Sequence, residues 1–271
     1  MYKIIFTDID GTLLGPQREL TPFTIEQMLK VKDKMPLIMV SSRMPKQMHH
    51  LQEELDIIDN PLIAFNGAYV IKDNEVISST EIPVSIIDQL VELNENAGED
   101  SIHISLFNAN DWYVDCMDYW AQREQRTTKT TPEVKTNREV VSLWKKENKG
   151  AHKIMCMGKK PHIDKVYAFL EANFSDSIHL YRSKDTYIEI ASKEVSKLTG
   201  INAMLACCYP GIELENAIAF GDNYNDVEMI GAVGLGVAVE NARDEVKQVA
   251  KAITTHHKED GVAKYLQKLF K

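Results

Sequence analysis

Two aspartates, Asp8 and Asp10, follow the apolar run at residues 4–7 and are followed in turn by Gly11. The run is rich in β-branched residues and predicts a buried strand, which Gly11 can turn at its end. Residues i and i+2 of a strand share a face, so the two carboxylates can converge above the edge of a parallel sheet. Such carboxylates repel each other unless a cation lies between them or one is protonated. The spacing indicates a hard divalent cation, above all Mg²⁺, and one carboxylate that handles protons; turn-forming aspartates are the alternative.

Two later loops carry further candidates for the same kind of chemistry. Asp222 and Asp226 follow the apolar run at 217–220, and could supply one metal ligand and one supporting carboxylate. A cluster that caps the start of a helix is the alternative explanation. Ser41 follows the apolar run at 36–40, where its hydroxyl could donate a hydrogen bond to a phosphate oxygen.

These loops depend on an alternating order of strands and helices. That order predicts right-handed crossovers and a doubly wound, Rossmann-like parallel sheet in an α/β fold. Ligands bind at the carboxyl edge of such sheets, so the loops should converge there. We predict a core formed by residues 1–82 and 187–271, which resumes at the strand Tyr187–Ile190. Residues 83–186 should form an inserted α+β domain, in which the polar stretch at 122–148 gives no clear elements.

Composition limits the function further. The 271 residues are 44% hydrophobic and 26% charged, with a net charge of −9 and no basic block, which argues against a nucleic-acid partner. No apolar run is long enough for a signal peptide or a membrane span. The four cysteines lack disulfide-like or zinc-like spacing, which favours a reducing compartment. We therefore expect a soluble cytoplasmic protein; the oligomeric state is not specified by the sequence.

Several motifs resemble those of one enzyme superfamily. The heptad that begins at Asp8, Asp-Ile-Asp-Gly-Thr-Leu-Leu, resembles the first motif of the haloacid dehalogenase (HAD) superfamily, most of whose members are phosphatases. Gly-Asp-Asn-Tyr-Asn-Asp at 221–226 resembles its fourth motif, GDxxND. Ser-Ser-Arg at 41–43 matches the second motif, in which many relatives have Thr-Gly-Arg.

Two further stretches resemble the Cof-type subfamily. Val-Ser-Lys at 195–197 is similar to its third motif, with Leu198 in place of the usual glycine. Asn-Gly-Ala at 66–68 resembles its NGA turn. The interval from Asp8 to Ser41 is too short for a cap domain, whereas residues 83–186 supply one between the second and third motifs. That position and the strand-helix mixture resemble the C2B cap, and the resemblance covers essentially the full chain.

The resemblance implies a Mg²⁺-dependent phosphatase acting on a small phosphorylated metabolite, such as a sugar phosphate, through an aspartyl-phosphate intermediate. It assigns Asp8 as nucleophile and Asp10 as general acid and base. It assigns the metal to Asp8, Asp222 and the Asp10 carbonyl, with Asp226 in support. The phosphate and substrate would be bound by Ser41, Arg43, Lys197, Asn225 and Asn66.

Two of these residues have purely structural alternative explanations, and the activity itself has alternatives. A lysine entering a helix, as Lys197 does, is ordinarily a solvated surface residue, and Asn66 could simply form a tight turn. A phosphomutase and a catalytically silent phosphometabolite-binding protein are the alternative functions. The silent protein is disfavoured because Asp8, Asp10, Lys197 and Asp222 are all intact.

Overall fold

The computed structural model describes residues 1–73 and 75–271, apart from the side chain of Ser183. Their contacts divide the chain into two compact units. The core unit consists of Met1–Ser78 and Ser196–Lys271, and the inserted unit consists of Ser79–Val195. The core unit is therefore built from both ends of the chain.

The elements follow in chain order, and short 3₁₀ turns connect some of them. The core unit begins with β1 (Ile4–Thr7), α1 (Pro22–Lys32), β2 (Leu37–Val40), α2 (His49–Glu54), β3 (Leu62–Ala64), β4 (Tyr69–Lys72) and β5 (Glu75–Ser79). The inserted unit contains α3 (Val84–Asn96), β6 (His103–Asn108), β7 (Asp111–Val114), α4 (Tyr119–Thr128), β8 (Glu133–Val134), α5 (Asn137–Glu147), β9 (Lys153–Met157), α6 (Lys160–Phe174), β10 (Ile178–Lys184) and β11 (Tyr187–Ser192). The core unit resumes with α7 (Lys197–Cys208), β12 (Ala217–Gly221), α8 (Val227–Ala232), β13 (Leu235–Ala238), α9 (Asp244–Val249), β14 (Ala252–Ile253) and α10 (Gly261–Leu269).

The core unit is organised around an eight-stranded sheet in the order β14-β13-β12-β1-β2-β3-β4-β5. The strands from β14 to β3 are parallel, and β4 runs antiparallel to β3. All four residues of β1 are buried, as expected for a parallel strand with both faces covered. Thr7 at the end of β1 pairs with Phe220 on one side and Met39 on the other. The three strands therefore end at one edge, and the α/β fold class predicted from the sequence is confirmed.

Two helices of the core unit begin at side-chain caps. The Thr21 hydroxyl accepts a hydrogen bond from the Thr24 backbone N–H, and Pro22 occupies the first turn of α1, where it lacks no needed donor. Ser196 caps α7 in the same way through the Thr199 N–H. None of the helices in the described ranges has the length and apolar character needed to cross a membrane.

The inserted unit has its own sheet and its own hydrophobic core. Its six strands follow the order β10-β11-β9-β6-β7-β8 and are antiparallel, except that β7 and β8 run parallel. Alternate strand residues are apolar and join side chains of α3, α5 and α6 in one core. Its strand members include Ile104, Leu106, Ile154, Cys156, Ile188 and Ile190. The polar stretch at 122–148, which gave no clear elements, contains most of α4 together with β8 and α5.

The predicted restart of the core sheet at Tyr187 is wrong. The strand β11 pairs with β9 and β10 in the sheet of the inserted unit, and the core unit resumes only at Ser196. The physical reason lies in the pattern of Tyr187–Ile190, where apolar residues alternate with Tyr and Glu. Such alternation is typical of antiparallel strands buried on one face, whereas parallel strands of a doubly wound sheet are apolar throughout.

A buried histidine should make the stability of the protein depend on pH. His152 Nδ1 accepts a hydrogen bond from the Ala109 N–H at 3.0 Å, and its Nε2 lies 2.9 Å from Ser79 Oγ. Burial lowers the pKa of His152 from 6.5 to about 4, although the charge of Glu81 acts in the opposite direction. Between these values the unfolded chain binds a proton that the folded chain does not, so stability falls as the pH is lowered.

We expect this histidine to contribute a loss of up to about 3 kcal/mol in the free energy of unfolding between pH 7 and pH 4. Urea unfolding across that range should show a weaker pH dependence for His152→Gln than for the wild type. His179→Gln, at a partly exposed position in the same unit, is the matched control and should keep the wild-type dependence. An unchanged pH dependence in His152→Gln would contradict the assignment.

Candidate active site

The structure brings three of the predicted loops to one edge of the core sheet. Asp8 follows β1, Ser41 follows β2 and Asp222 follows β12. The Asp8 N–H donates to Phe220 O at 3.0 Å, and the Ser41 N–H donates to Ile63 O at 3.0 Å, so both residues continue the backbone ladders. These backbone hydrogen bonds fix the direction in which each side chain leaves the edge of the sheet.

Lys197 is buried at the start of α7 and lies between two carboxylates. Its Nζ donates to Asp8 Oδ1 and to Asp226 Oδ1, both at 2.6 Å. Burial alone would lower the pKa of Lys197, but the charges of Asp226 and Asp8 outweigh it and hold the pKa above its usual range. The lysine is therefore a charged group of the site, and the alternative that it is a solvated surface residue is wrong.

Asp8, Asp222 and Asp226 form a cluster in which carboxylate oxygens lie within 4.8 Å of one another. Burial raises the pKa of Asp8 to about 8, and the charges of Asp226 and Asp222 add to the effect against Lys197. Burial and Asp226 likewise raise the pKa of Asp222 to about 6, against Lys197 and a hydrogen bond from Thr12. One lysine does not neutralise three carboxylates, so the cluster has the chemistry of a divalent-cation site.

The hydrogen bonds show which oxygens of the cluster are available. Asp226 accepts from Lys197 through Oδ1 and from the N–H groups of Asp222 and Asn223 through Oδ2, at 2.8 and 3.0 Å. Both oxygens of Asp226 are therefore used in holding the loop at 222–226 together. The oxygens that remain for a metal ion are those of Asp8 and Asp222. Gly11 leaves the space beside them open, since a Cβ there would lie 2.5 Å from Asp222 Oδ2, and its φ is +87°. The residues present fit Mg²⁺.

Asp10 occupies a different environment from this cluster. Arg43 donates to both of its carboxylate oxygens, Nε to Oδ2 at 2.6 Å and Nη2 to Oδ1 at 2.8 Å. Arg18 Nη2 adds a third bond, to Oδ1 at 2.9 Å. Burial acts to raise the pKa of Asp10, but the two guanidinium groups hold it below its usual range. We expected the carboxylates of Asp8 and Asp10 to converge. The structure instead brings together the carboxylates of Asp8, Asp222 and Asp226, and Asp10 pairs with arginines.

A strained turn connects the remaining predicted residues. Asn66 Oδ1 accepts from Asn225 Nδ2 at 2.8 Å, and the Asn66 N–H donates to Ser41 O at 2.8 Å. Phe65 and Asn66 both adopt the left-handed region, with φ of +50° and +57°, which costs free energy in residues with side chains. A Cβ on Gly67 would lie 2.1 Å from Ser196 O, so only glycine allows the turn to pack against the start of α7.

Four residues of this region are not among the site residues predicted from the sequence. Thr12 Oγ1 donates to Asp222 Oδ1 at 3.1 Å, and Arg18 bonds Asp10 as described. Asn241 Nδ2 donates to Gly11 O at 2.8 Å, and His257 Nδ1 lies 2.7 Å from Leu14 O. Thr12 stands within the first motif and could have been found there. No residue type or spacing marks the other three, because loop conformation determines their contacts.

The family follows from comparison with known proteins. A family model described as haloacid dehalogenase-like hydrolase matches residues 5–266. The chain belongs to this family. The resemblance of its motifs to the HAD superfamily is therefore confirmed, and so is the predicted enzyme class, a phosphatase or phosphoric monoester hydrolase.

Curated relatives of this HAD hydrolase align over almost its whole length. A putative phosphatase of Haemophilus influenzae is 30% identical, with 100% of this chain and 99% of the relative covered. The 5-amino-6-(5-phospho-D-ribitylamino)uracil phosphatase YitU of Bacillus subtilis is 27% identical, with 98% and 97% covered. The pyridoxal phosphate phosphatase YbhA of Escherichia coli is 28% identical, with 97% of each covered.

Solved structures share the fold. A haloacid dehalogenase-like hydrolase from Bacteroides thetaiotaomicron superposes with a TM-score of 0.88 at 24% identity, covering 100% of both chains. The HAD subclass IIB sugar phosphatase BT4131 superposes with a TM-score of 0.78 at 23% identity, covering 99% of both. The predicted similarity to the Cof-type fold, with a C2B cap inserted in the core, agrees with these neighbours.

The unequal roles of Asp226 and Asp222 lead to a stability prediction. We expect Asp226→Asn to lower the free energy of unfolding by about 2–4 kcal/mol, because the amide turns an NH₂ group toward at least one buried donor. Asp222→Asn is the matched control: it keeps the oxygen that faces Thr12 and removes one charge from the cluster. It should leave stability unchanged or raise it. Urea unfolding at pH 8 in EDTA gives both values, and equal destabilisation by the two variants would contradict these roles.

Proposed function

We propose that the protein is a Mg²⁺-dependent phosphatase that hydrolyses small phosphorylated metabolites, sugar phosphates or similar, through an aspartyl-phosphate intermediate. The observation that carries the proposal is the arrangement of Asp8. One of its oxygens is bonded to the buried Lys197, in a cluster of three carboxylates at the ends of parallel strands. Relatives named for phosphoribitylaminouracil and pyridoxal phosphate support a small phosphorylated substrate.

Asp8 is suited to attack the phosphorus atom. The Lys197 ammonium bonds Oδ1 and orients the carboxylate, which leaves Oδ2 as the attacking atom. Lys197 also places a positive charge where the phosphoryl oxygens would lie, and Ser41 and Asn225 are near enough to the strand ends to offer further donors. Positioning and charge neutralisation provide most of the acceleration of phosphoryl transfer.

Mg²⁺ would be held by Asp8, Asp222 and the Asp10 carbonyl, and when bound it would supply positive charge to the phosphoryl oxygens. Asp226 takes part by keeping the loop of Asp222 closed through its two backbone hydrogen bonds. Thr12 fixes Asp222 from the other side. Hydrogen bonds of the chain itself therefore fix the position of Asp222 within this set of metal ligands.

Asp10 would transfer protons at the leaving oxygen. Its three bonds from Arg43 and Arg18 keep the carboxylate ionised, which is the state needed to take a proton from the water that hydrolyses the aspartyl-phosphate. Protonation of the leaving alcohol needs the opposite state. We infer that a bound substrate draws one arginine away from Asp10, because a phosphate competes for the same guanidinium donors.

The first test is phosphate release from p-nitrophenyl phosphate and a panel of sugar phosphates, with Mg²⁺ and with EDTA. Asp8→Asn should lower kcat by at least about a thousandfold without unfolding the protein. Asp59→Asn, an exposed carboxylate of the same unit, is the matched control and should retain activity. Full activity of folded Asp8→Asn would disprove the mechanism. Strong activation by a sugar bisphosphate with little phosphate release would identify a phosphomutase instead.

A second test separates the two roles of Asp10. p-Nitrophenolate leaves without protonation, so Asp10→Asn should still be phosphorylated by this substrate but should hydrolyse the intermediate slowly. We expect acid-quenched Asp10→Asn to carry phosphate on the peptide that contains Asp8, detected by mass spectrometry. Wild type under the same conditions should carry much less. Equal and negligible labelling of both proteins during rapid turnover would count against a covalent intermediate.

A further inference from the structure

A pocket of about 340 Å³ lies beside Asp10 within the core unit. One wall is the loop at residues 10–18, and the other is the segment His257–Lys258 before α10. The polar groups that line it come from Asp10, Arg18, His257 and Lys258. Its size is in the range of small-molecule sites, and it is continuous with the carboxylate assigned to the leaving oxygen.

The lining is rich in unused hydrogen-bond donors. Among the described residues, the Lys258 ammonium makes no hydrogen bond or ion pair, and Arg18 uses only Nη2 of its guanidinium, toward Asp10. His257 Nδ1 must carry a hydrogen because the group it faces is the Leu14 carbonyl, so Nε2 remains for another partner. Asp10 is the one carboxylate in the lining, and Arg43 already bonds both of its oxygens. The pocket is locally cationic in a chain of net charge −9.

The walls of the pocket are tied together by hydrogen bonds within the protein. Asn241 donates to Gly11 O through Nδ2 at 2.8 Å and accepts from the His257 N–H through Oδ1 at 3.0 Å. His257 in turn bonds Leu14 O at 2.7 Å. The loop that carries Asp10 and Arg18 is therefore fixed to the segment that carries Lys258. Binding of a ligand would therefore order only the exposed side chains of Arg18 and Lys258, not the walls themselves.

We propose that this pocket binds a second anionic group, a carboxylate or a phosphate, on the leaving-group side of the substrate. The enzyme would then prefer phosphate monoesters that carry two anionic groups. This inference rests on the proposed function, because that function places the leaving oxygen at Asp10 and the transferred phosphoryl group at Asp8. Lys258 and Arg18 supply the charges, and Lys258 is the specificity-determining residue that takes no other part in the reaction.

The test compares esters that differ in one anionic group. Values of kcat/KM are measured with Mg²⁺ for 6-phosphogluconate against glucose 6-phosphate and for 3-phosphoglycerate against glycerol 3-phosphate. The variant is Lys258→Gln, and the control is Lys268→Gln, an exposed lysine of α10 outside the pocket. We expect the wild type to prefer the carboxylate-bearing ester of at least one pair. Lys258→Gln should reduce that preference about tenfold, which is the effect of losing one charged hydrogen bond. The value of kcat/KM for the ester without the carboxylate should not change.

The outcomes separate this inference from the proposed function. Phosphate release from the esters without a second anion, together with no preference in either pair, would overturn the pocket assignment and leave the phosphatase intact. An equal loss for both members of a pair in Lys258→Gln would also overturn it. Added sulfate could also raise kcat/KM for glucose 6-phosphate as much as the attached carboxylate does. The pocket would then bind a free anion instead of a group of the substrate, and the inferred substrate preference would be overturned. Absence of Mg²⁺-dependent release from all four esters would instead defeat the proposed function.

Discussion

The buried ion pairs of Lys197 are the interaction on which the rest of the site depends. One ammonium group joins the end of β1, the start of α7 and the loop after β12, because its partners are Asp8 and Asp226. Removing either partner of a buried charged pair leaves an uncompensated charge and is strongly unfavourable. The close packing of Gly67 on Ser196 serves the same end, since it fixes the first turn of α7. Backbone strain at Phe65 and Asn66 is tolerated where it holds this charge in place.

The two aspartates of the first motif show how environment divides one residue type into two roles. Burial and the neighbouring carboxylates Asp226 and Asp222 raise the pKa of Asp8. The pKa of Asp10 is lowered, because two arginines bond its carboxylate and outweigh the effect of burial. The two residues are separated by Ile9 alone, so the difference arises from residues distant in sequence. Pairs of titratable groups with opposed environments are typical of acid-base sites. In this fold, the opposition is created by Arg43 on one side and by the loop of Asp222 on the other.

The residues at the strand ends could be predicted from the sequence, whereas the contacts between loops could not. Asp8, Ser41 and Asp222 could be placed together because parallel strands share a carboxyl edge, and local apolar runs reveal those strands. Lys197 could be identified only through its motif, since a lysine at a helix start has no distinguishing local pattern. Arg18 depends on the conformation of its own loop, because its partner Asp10 is eight residues away. Asn241 and His257 depend on pairings across more than half of the chain. The misplaced β11 is different, because its alternating pattern was present in the sequence and pointed to an antiparallel sheet.

The pairing of β1 with β12 has a consequence for synthesis of the protein. Ile4 lies opposite Ala217, so one long edge of the first strand stays without its partner until most of the chain has left the ribosome. The inserted unit is continuous in sequence and is complete before β12 is translated. It can therefore fold first, as domains commonly do during synthesis. During that interval the nascent chain carries an unpaired strand in which three of the four residues are apolar, the kind of edge that recruits other chains and that chaperones protect.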